Sequence, residues 1–291
     1  MKPLAPAAIP RLSQGSLELA ARRAVEGLYA GRHRSPFTGS AVEFNDHRPY
    51  QPGDDLRAVD WKAYGRSDHL LIRRYREERD LPLVLVLDTS ASMDYGEPHK
   101  GEWARLALAA LMLLAIDQGD RVRVVVDGVP VTGELGGPGA LPQVCAALDA
   151  VRWQGRGDAA VGAGKLASLL TRRTLVVFLG DLLAEPATLA RPFGALAGRG
   201  HELAAIQVLD RSELALPEAW GACAIRDPEG RVPDLACDAP TAKVAYDAAM
   251  QAHLTALRQV FAGCRADHHL VATDQAVADA LGAWLHRRRR R

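Results

Sequence analysis

Apolar runs with the length of buried strands alternate with helix-like segments from Leu83 onward, and this alternation constrains the fold more than any other feature. The segment Leu83–Leu87 is apolar at every position, which is typical of a strand covered on both faces. Further strand-like runs follow, with helical spacing between most of them, at Val122–Val126, Thr174–Leu179, Leu203–Leu209 and His268–Ala272. The pattern predicts an α/β fold, a doubly wound and mostly parallel sheet with helices on both faces.

Composition agrees with this fold and excludes several classes of protein. Of the 291 residues, 48% are hydrophobic and 5% aromatic, so we expect a large core built mainly from aliphatic side chains. The cysteines have no CxxC spacing, which argues against a disulfide scaffold or a zinc site. We therefore expect free, buried thiols in a reducing cytosol at Cys145, Cys223, Cys237 and Cys264.

Charge is unevenly distributed along the chain. There are 36 basic and 35 acidic residues, but five of the basic ones are the consecutive Arg287–Arg291. Without them, 31 basic against 35 acidic residues leave the rest at −4, which argues against general nucleic-acid binding. The arginine run is expected to be either a solvated tail or a docking peptide.

The chain is predicted to divide near residue 80. Residues 1–80 combine an N-terminal helix, about Leu12–Ala30, with a charged region that holds two short strands, Ala41–Phe44 and Leu70–Ile72. Residues 81–291 form the α/β domain, with a β-hairpin inserted at about 221–238 and the basic tail at 287–291. No signal-peptide pattern or apolar run of about 20 residues occurs, so we expect a soluble, cytoplasmic protein without a membrane span.

Three oxygen-bearing side chains follow the first buried strand at alternate positions. In extended backbone, Asp88, Ser90 and Ser92 point the same way and can converge on one point. Carboxylate and hydroxyl oxygens suit Mg²⁺ or Mn²⁺. Asp181 follows the strand Thr174–Leu179 and would face Asp88 if the two strands are neighbours at the switch in strand order. The alternative is that Asp88 and Ser90 only cap the turn and helix that follow.

This D-x-S-x-S motif resembles the metal-ion-dependent adhesion site of von Willebrand factor type A domains. The preceding segment narrows the resemblance to the family known as domain of unknown function 58, whose members carry a degenerate type A domain. The residues that carry it are Gly39, Glu43, Phe44, Arg48, Tyr50, Gly53, Asp54, Asp55, Arg57, Asp60, Trp61, Leu70, Ile72 and Arg73. The close resemblance covers about residues 32–119, and the remainder agrees in outline.

The resemblance implies a non-enzymatic interaction protein, usually bacterial and encoded beside a MoxR-type AAA+ ATPase. It also implies a second metal-binding loop, here Gly155–Asp158, in which Gly157 stands where type A sites normally have a threonine. The expected metal ligands are therefore Asp88, Ser90, Ser92 and Asp181, with Asp158 as a substitute. Since one hydroxyl is missing, Mg²⁺ or Mn²⁺ is expected to bind weakly or not at all.

The charged signature around Arg48–Asp80 has two interpretations. Basic and acidic residues alternate there with Tyr50, Trp61 and Tyr64. The region is either an internally packed network of ion pairs or a docking face for the ATPase, in which Trp61 and Arg73 support or form the contact.

The strongest enzyme alternative is a Mg²⁺-dependent phosphoryl-transfer hydrolase with Asp88 as nucleophile and Asp181 holding the metal. A haloacid-dehalogenase-like enzyme would place a second acid at position 90, where this chain has Ser90, and its usual downstream lysine is not evident in the sequence.

Overall fold

A six-stranded sheet organises the larger of the two units into which the chain divides. The computed structural model describes residues 12–30, 44–50, 59, 64–65, 70–75, 81–155 and 159–288. One unit consists of residues 1–37 and 81–291, which we call the body, and the other of residues 38–80, which we call the signature unit.

The strands and helices alternate as the sequence predicts. The strands are β1 (Phe44–Pro49), β2 (Leu71–Tyr75), β3 (Leu83–Leu87), β4 (Val122–Val126), β5 (Val129–Pro130), β6 (Leu175–Gly180), β7 (Glu202–Leu209), β8 (Ala222–Ile225), β9 (Leu235–Asp238) and β10 (Asp267–Ala272). The helices are α1 (Gln14–Ala30), α2 (Lys100–Ile116), α3 (Ala140–Asp149), α4 (Ala159–Leu169), α5 (Pro186–Gly198), α6 (Arg211–Leu214), α7 (Ala239–Gly263) and α8 (Val277–Arg288).

The main sheet has the order β10-β7-β6-β3-β4-β5, and every pair in it is parallel except β4 with the short edge strand β5. The chain runs from β3 to β4 on one side and then returns to β6 on the other side of β3. The strand order therefore reverses between β3 and β6, which confirms the doubly wound, mostly parallel architecture and places the ligand crevice of such sheets at their carboxyl ends.

Both faces of the sheet are covered, which explains why β3 is apolar at every position. Leu83, Leu85 and Leu87 belong to one hydrophobic cluster, whereas Val84 and Val86 belong to a second. The first cluster includes residues of α1, α2, α3 and α8, and the second includes residues of α4, α5 and α7. Helix α2 is buried over nearly its whole circumference, as its apolar sequence predicts.

Helix α1 contributes to the core of the body. Leu17, Ala21, Val25 and Leu28 recur at helical spacing and are all buried in the same cluster as β3. This helix, which belongs to the predicted division 1–80, thus shares its core with the α/β elements. The boundary near residue 80 remains a prediction.

Helix α5 was not assigned from the sequence. Its buried residues Leu189, Phe193 and Leu196 follow helical spacing, but Pro192 lies inside the helix. Proline removes a backbone donor and usually ends a helix, so the pattern does not favour one here. Burial against the second hydrophobic cluster outweighs that cost.

Two antiparallel strand pairs of the body are joined by short connections. Asp127 and Gly128 have φ values of 47° and 78°, as the two-residue turn between β4 and β5 requires. Strands β8 and β9 pair antiparallel and form the inserted hairpin that the sequence places at about 221–238.

The signature unit contains an antiparallel pair of strands. Residues of β1 pair with β2 from Phe44 opposite Tyr75 to Pro49 opposite Leu71, with an irregularity between Phe44 and Asp46. The predicted strand Ala41–Phe44 shares Phe44 with β1, and its residues 41–43 lie outside the described part of the chain.

The first two arginines of the expected basic tail are part of α8. Arg288 forms an ion pair with Glu202 at 2.6 Å, and Arg287 donates a hydrogen bond to His269 Nδ1. Residues 289–291 lie outside the described part of the chain. Within the described ranges, every helix is too short or too polar to cross a bilayer.

Candidate metal centre

The carboxyl ends of β3 and β6 bring Asp88 and Asp181 to the same edge of the sheet. The two strands are direct neighbours, and the Asp88 backbone N–H donates to Leu179 O at 2.9 Å. A cavity of about 740 Å³ opens at this edge, and its lining includes Asp88, Ser90, Ser92 and Asp181. The four residues that the sequence selects therefore border one cavity at the switch in strand order.

The loop after β3 is held in a defined shape. The Ser90 backbone N–H donates to Asp88 Oδ1 at 2.9 Å, and the Ser90 and Ser92 hydroxyl oxygens lie 2.9 Å apart. Ser90 precedes the short turn Ala91–Met93 without a side-chain cap hydrogen bond, and His99 caps α2 instead. The Ser90 hydroxyl is thus not used for capping.

Asp127, from the turn after β4, fixes the same loop from the neighbouring strand. Its Oδ1 accepts a hydrogen bond from the Thr89 backbone N–H at 3.0 Å, and its Oδ2 accepts one from the Thr89 hydroxyl. Thr89 therefore points away from Ser90 and Ser92, as alternation along an extended segment requires.

Gly180 makes room for Asp88. A Cβ atom at position 180 would lie 2.6 Å from Asp88 Cβ and 3.0 Å from its Oδ2, both closer than packed atoms normally approach. The absence of a side chain at the end of β6 is what allows the Asp88 carboxylate to occupy the crevice.

The crevice disfavours the negative charge of Asp88. Burial raises the pKa of Asp88 to about 7, and the nearby charge of Asp181 acts in the same direction, against the Ser90 N–H that stabilises the carboxylate. A carboxylate in such surroundings is stabilised by any cation that binds beside it.

A buried lysine, Lys100, forms an ion pair with Asp181. Lys100 Nζ is 3.0 Å from Asp181 Oδ2 and 2.6 Å from Glu213 Oε1, and the Lys100 side chain is 0% exposed. Burial alone would lower the pKa of Lys100, but the two carboxylates outweigh it and the pKa is raised. Burial raises the pKa of the Glu213 carboxyl, whereas the positive charge of Lys100 lowers it.

Neither Lys100 nor Glu213 was singled out from the sequence. Lys100 is the first residue of a mainly apolar helix, and Glu213 lies in the segment Asp210–Glu213, whose spacing is that of a capping box. Both patterns have ordinary structural explanations, so only the fold reveals that the two side chains meet at Asp181.

The start of the predicted second metal-binding loop, Gly155–Asp158, lies beside the loop after β3. The Ala91 N–H donates to Gly155 O at 3.1 Å, the Gln154 N–H donates to Thr89 O at 2.9 Å, and Ala159 lines the cavity. Residues 156–158 lie outside the described part of the chain, so the proposed ligand Asp158 and the substitution at Gly157 remain predictions.

The inserted hairpin supplies one more carboxylate that the sequence did not reveal. Ser92 Oγ donates to Glu229 Oε1 at 3.3 Å, although 137 residues separate them. Burial raises the pKa of Glu229, the Arg231 charge opposes this effect, and the Asp181 charge adds to it. No sequence pattern relates the hairpin tip to the first loop.

The donors that border the cavity fit a hydroxyl–carboxylate site for a hard divalent cation. Within the described ranges, no three His, Cys, Asp or Glu side chains are grouped as an all-carboxylate or histidine metal site would need. Any metal here would depend on the hydroxyls of Ser90 and Ser92, whose spacing at 2.9 Å provides two hard oxygen donors beside Asp88.

Comparison with known proteins decides the family. The family described as "Protein of unknown function DUF58" matches residues 46–256, well over half of the chain. The chain belongs to the DUF58 family. This confirms the family resemblance carried by the charged signature and the D-x-S-x-S motif.

Curated relatives extend the match over nearly the whole chain. The "Uncharacterized protein Rv1480" of Mycobacterium tuberculosis (strain ATCC 25618 / H37Rv) is 32% identical, and the match covers 94% of this DUF58 chain and 88% of the relative. "Uncharacterized protein Mb1516" of Mycobacterium bovis matches with the same identity and coverage.

Solved structures of similar shape include the conserved hypothetical protein BatB and the SpRpn10 VWA domain. BatB from Bacteroides thetaiotaomicron has a TM-score of 0.48 with 14% identity, over 72% of this chain and 100% of that one. The SpRpn10 VWA domain has a TM-score of 0.43 with 10% identity, over 69% of this chain and 93% of that one. The type A-like fold of this DUF58 protein rests on its own strand order and covered sheet.

Proposed function

We propose that this DUF58 protein is a non-enzymatic protein-binding module whose contact with a partner is assisted by a weakly bound Mg²⁺ or Mn²⁺. The observation that supports this most directly is the convergence of Asp88, Ser90, Ser92 and Asp181 on one cavity at the switch in strand order. The proposed ligands are these four residues and Asp158.

The roles of the residues follow from their contacts. Asp88 and the Ser90 and Ser92 hydroxyls present oxygens to the cavity, and Asp181 is held in place by Lys100 and by the Leu183 N–H, which donates to it at 3.3 Å. A divalent cation bound here supplies a coordination position for a carboxylate of the partner.

Weak binding is expected because Gly157 provides no hydroxyl. We expect a dissociation constant between micromolar and millimolar, about 4–8 kcal/mol of binding free energy. Calorimetric titration with MnCl₂ should detect binding in the wild type and lose it in Asp88→Ala. Glu18→Gln, which removes a partly exposed carboxylate of α1 that pairs with Arg22, is the matched control and should bind as the wild type does. Tight binding that survives Asp88→Ala would contradict the proposed site.

We further propose that the partner is a MoxR-type AAA+ ATPase, acting with this protein in the assembly or maturation of a protein complex. Membership in DUF58 and the charged signature with its interleaved aromatic residues support this. Trp61 and Arg57 lie outside the described residues, and of Arg73 only the backbone is described, in β2.

The partner is tested by co-purification from the native host and by pull-down with the ATPase. Arg57→Ala and Arg73→Ala variants with unchanged melting temperature should lose the ATPase if the signature unit docks it. If both variants retain full binding to the ATPase, the interface lies elsewhere. If no AAA+ ATPase is found among the co-purified proteins, this partner is rejected.

One observation favours a second function, the phosphoryl-transfer hydrolase. A buried lysine beside an aspartate is a usual part of such sites, and Lys100 lies against Asp181. However, Lys100 pairs with Asp181 and Glu213, whereas the nucleophile would be Asp88, and position 90 is a serine. We expect no turnover of p-nitrophenyl phosphate or ATP; turnover that Asp88→Asn abolishes would favour the hydrolase.

A further inference from the structure

The inserted hairpin reaches into the candidate metal centre. Its tip, residues 226–232, lines the same cavity as Asp88 and Asp181. The tip is held by Asp227, whose side chain accepts hydrogen bonds from the backbone N–H groups of Glu229, Arg231 and Val232 at 2.9, 2.6 and 3.2 Å. These hydrogen bonds brace the backbone of the tip where it borders the cavity.

Glu229 is the residue that enters the site. Its side chain is 9% exposed, one carboxylate oxygen accepts from Ser92 Oγ at 3.3 Å, and the other lies 2.5 Å from Arg231 Nη2. The Glu229 side chain therefore contacts a proposed metal ligand, Ser92, within the cavity.

We propose that Glu229 is the in-chain occupant of the position that a partner's carboxylate takes at the metal. This inference rests on the proposed function and adds to it a built-in competitor: the hairpin must move before a partner binds. Arg231 already pairs with Glu229 and belongs to the same hairpin, so it can stay paired when the hairpin moves, and displacement does not leave an isolated charge.

Mn²⁺ titration combined with hydrogen–deuterium exchange tests the role of Glu229. Mn²⁺ should slow amide exchange in the hairpin tip of the wild type, and Glu229→Gln should lose that protection and bind Mn²⁺ about tenfold more weakly. Glu218→Gln, which removes a carboxylate just before the hairpin, is the matched control and should behave as the wild type does.

The outcomes separate the two proposals. If wild type and Glu229→Gln both bind Mn²⁺, and Mn²⁺ protects the tip from amide exchange equally in the two, the inference is overturned and the proposed function stands. No Mn²⁺ binding by the wild type, or equal binding by Asp88→Ala, overturns the proposed function and the inference with it.

The stem of the hairpin carries a second, independent feature, a pair of opposed thiols. Cys223 and Cys237 are direct partners in the β8–β9 register, and their sulfur atoms lie 3.6 Å apart. Directly opposed residues of antiparallel strands have Cα separations of about 4.5–5.5 Å, which lie within the range of disulfides. Both cysteines are partly exposed, whereas Cys145 is buried.

The geometry points to Cys223 and Cys237 as a redox site that a small-molecule disulfide closes. One thiolate attacks the disulfide, forms a mixed disulfide and releases one thiol. The second cysteine then attacks the mixed disulfide, forms the Cys223–Cys237 bond and releases the other thiol. The two cysteines lose two electrons and two protons in total, and the small molecule is reduced to two thiols.

Peptide mapping after exposure to oxidised glutathione tests this. The wild type should give a peptide pair linked through Cys223 and Cys237, whereas Cys223→Ser and Cys237→Ser should keep glutathione on the remaining cysteine. Cys264→Ser is the matched control and should still form the link. Mixed disulfides at both positions of the wild type without a link, or two thiols that stay reduced while Cys264 reacts, would overturn the proposal.

Discussion

Lys100 places a fixed positive charge inside the candidate metal centre. Its ammonium group lies between the carboxylates of Asp181 and Glu213, and its side chain is 0% exposed. Such a group is costly to bury and is retained only with good partners. The charge of Asp181 is therefore already compensated, whereas that of Asp88 is not.

Replacing Lys100 should destabilise the protein strongly. Lys100→Met leaves two buried carboxylates without their cation, at a cost of about 3–5 kcal/mol in the free energy of unfolding by urea. Lys243→Met removes a partly exposed pair with Asp247 and should cost at most about 1 kcal/mol. Equal effects of the two substitutions would argue against a buried, paired ammonium at position 100.

Gly180 offers a test of the room that Asp88 needs. Gly180→Ala brings a Cβ within 2.6 Å of Asp88 Cβ, so we expect a loss of about 1–3 kcal/mol in stability and weaker Mn²⁺ binding. Gly164 lies on α4, where an added Cβ would have nothing within 4 Å, and Gly164→Ala should stabilise by about 0.5–1 kcal/mol. Unchanged Mn²⁺ affinity in Gly180→Ala would place the metal away from Asp88.

At the scale of elements, the sequence predicts those whose signal is local. The apolar run Leu83–Leu87 identifies β3 and the alternating Asp88, Ser90 and Ser92 identify the first loop, because both depend on neighbouring residues. Helix α5 is hidden by Pro192, and the contact of Ser92 with Glu229 spans 137 residues. The helix and the contact both depend on packing between residues that are far apart in the chain, and local sequence patterns do not reveal such packing.

Strand β10 carries two histidines that link its packing to pH. Burial lowers the pKa of both His268 and His269 to about 4. The positive charge of Arg258 lowers the pKa of His268 further and that of Arg287 lowers the pKa of His269, whereas Asp267 opposes both effects. His268 Nε2 lies 3.0 Å from Gln207 Oε1, and His269 Nε2 lies 3.2 Å from Ala280 O. Both rings are therefore held neutral in the folded protein.

Acid should destabilise the fold through these histidines. Histidines of the unfolded chain bind protons near pH 6.5, whereas His268 and His269 of the folded protein bind them only near pH 4. The free energy of unfolding therefore falls as the pH drops from about 6.5 to about 4. Each histidine accounts for at most about 3 kcal/mol of this loss in the free energy of unfolding. The free energy of unfolding should depend less on pH in His268→Gln than in the wild type, and the exposed His286→Gln should follow the wild type. Parallel curves for wild type and His268→Gln would contradict the low pKa.

At the scale of the whole molecule, the sheet and the hairpin are separable. The core clusters are built from α1, the main sheet and its covering helices, whereas the hairpin residues Val232 and Leu235 are 62% and 60% exposed. The Ala239 N–H donates to Gly221 O at 2.7 Å, so the two ends of the insertion are already joined.

Excising the hairpin should leave the fold intact. Replacing residues 223–237 by Asn-Gly joins Ala222 to Asp238 through a two-residue turn, and should change the free energy of unfolding by less than about 2 kcal/mol. Urea titration measures the stability, and far-ultraviolet circular dichroism checks that the sheet and helices persist. Loss of cooperative unfolding would show that the hairpin is part of the core.

The joined ends at Gly221 and Ala239 also bear on how such a protein diversifies. Insertions and deletions between those two positions leave the strand order and the covering helices untouched, so the tip can gain or lose length, charge or thiols over evolutionary time. Selection can therefore change what governs access to the cavity while the scaffold beneath it is inherited unaltered.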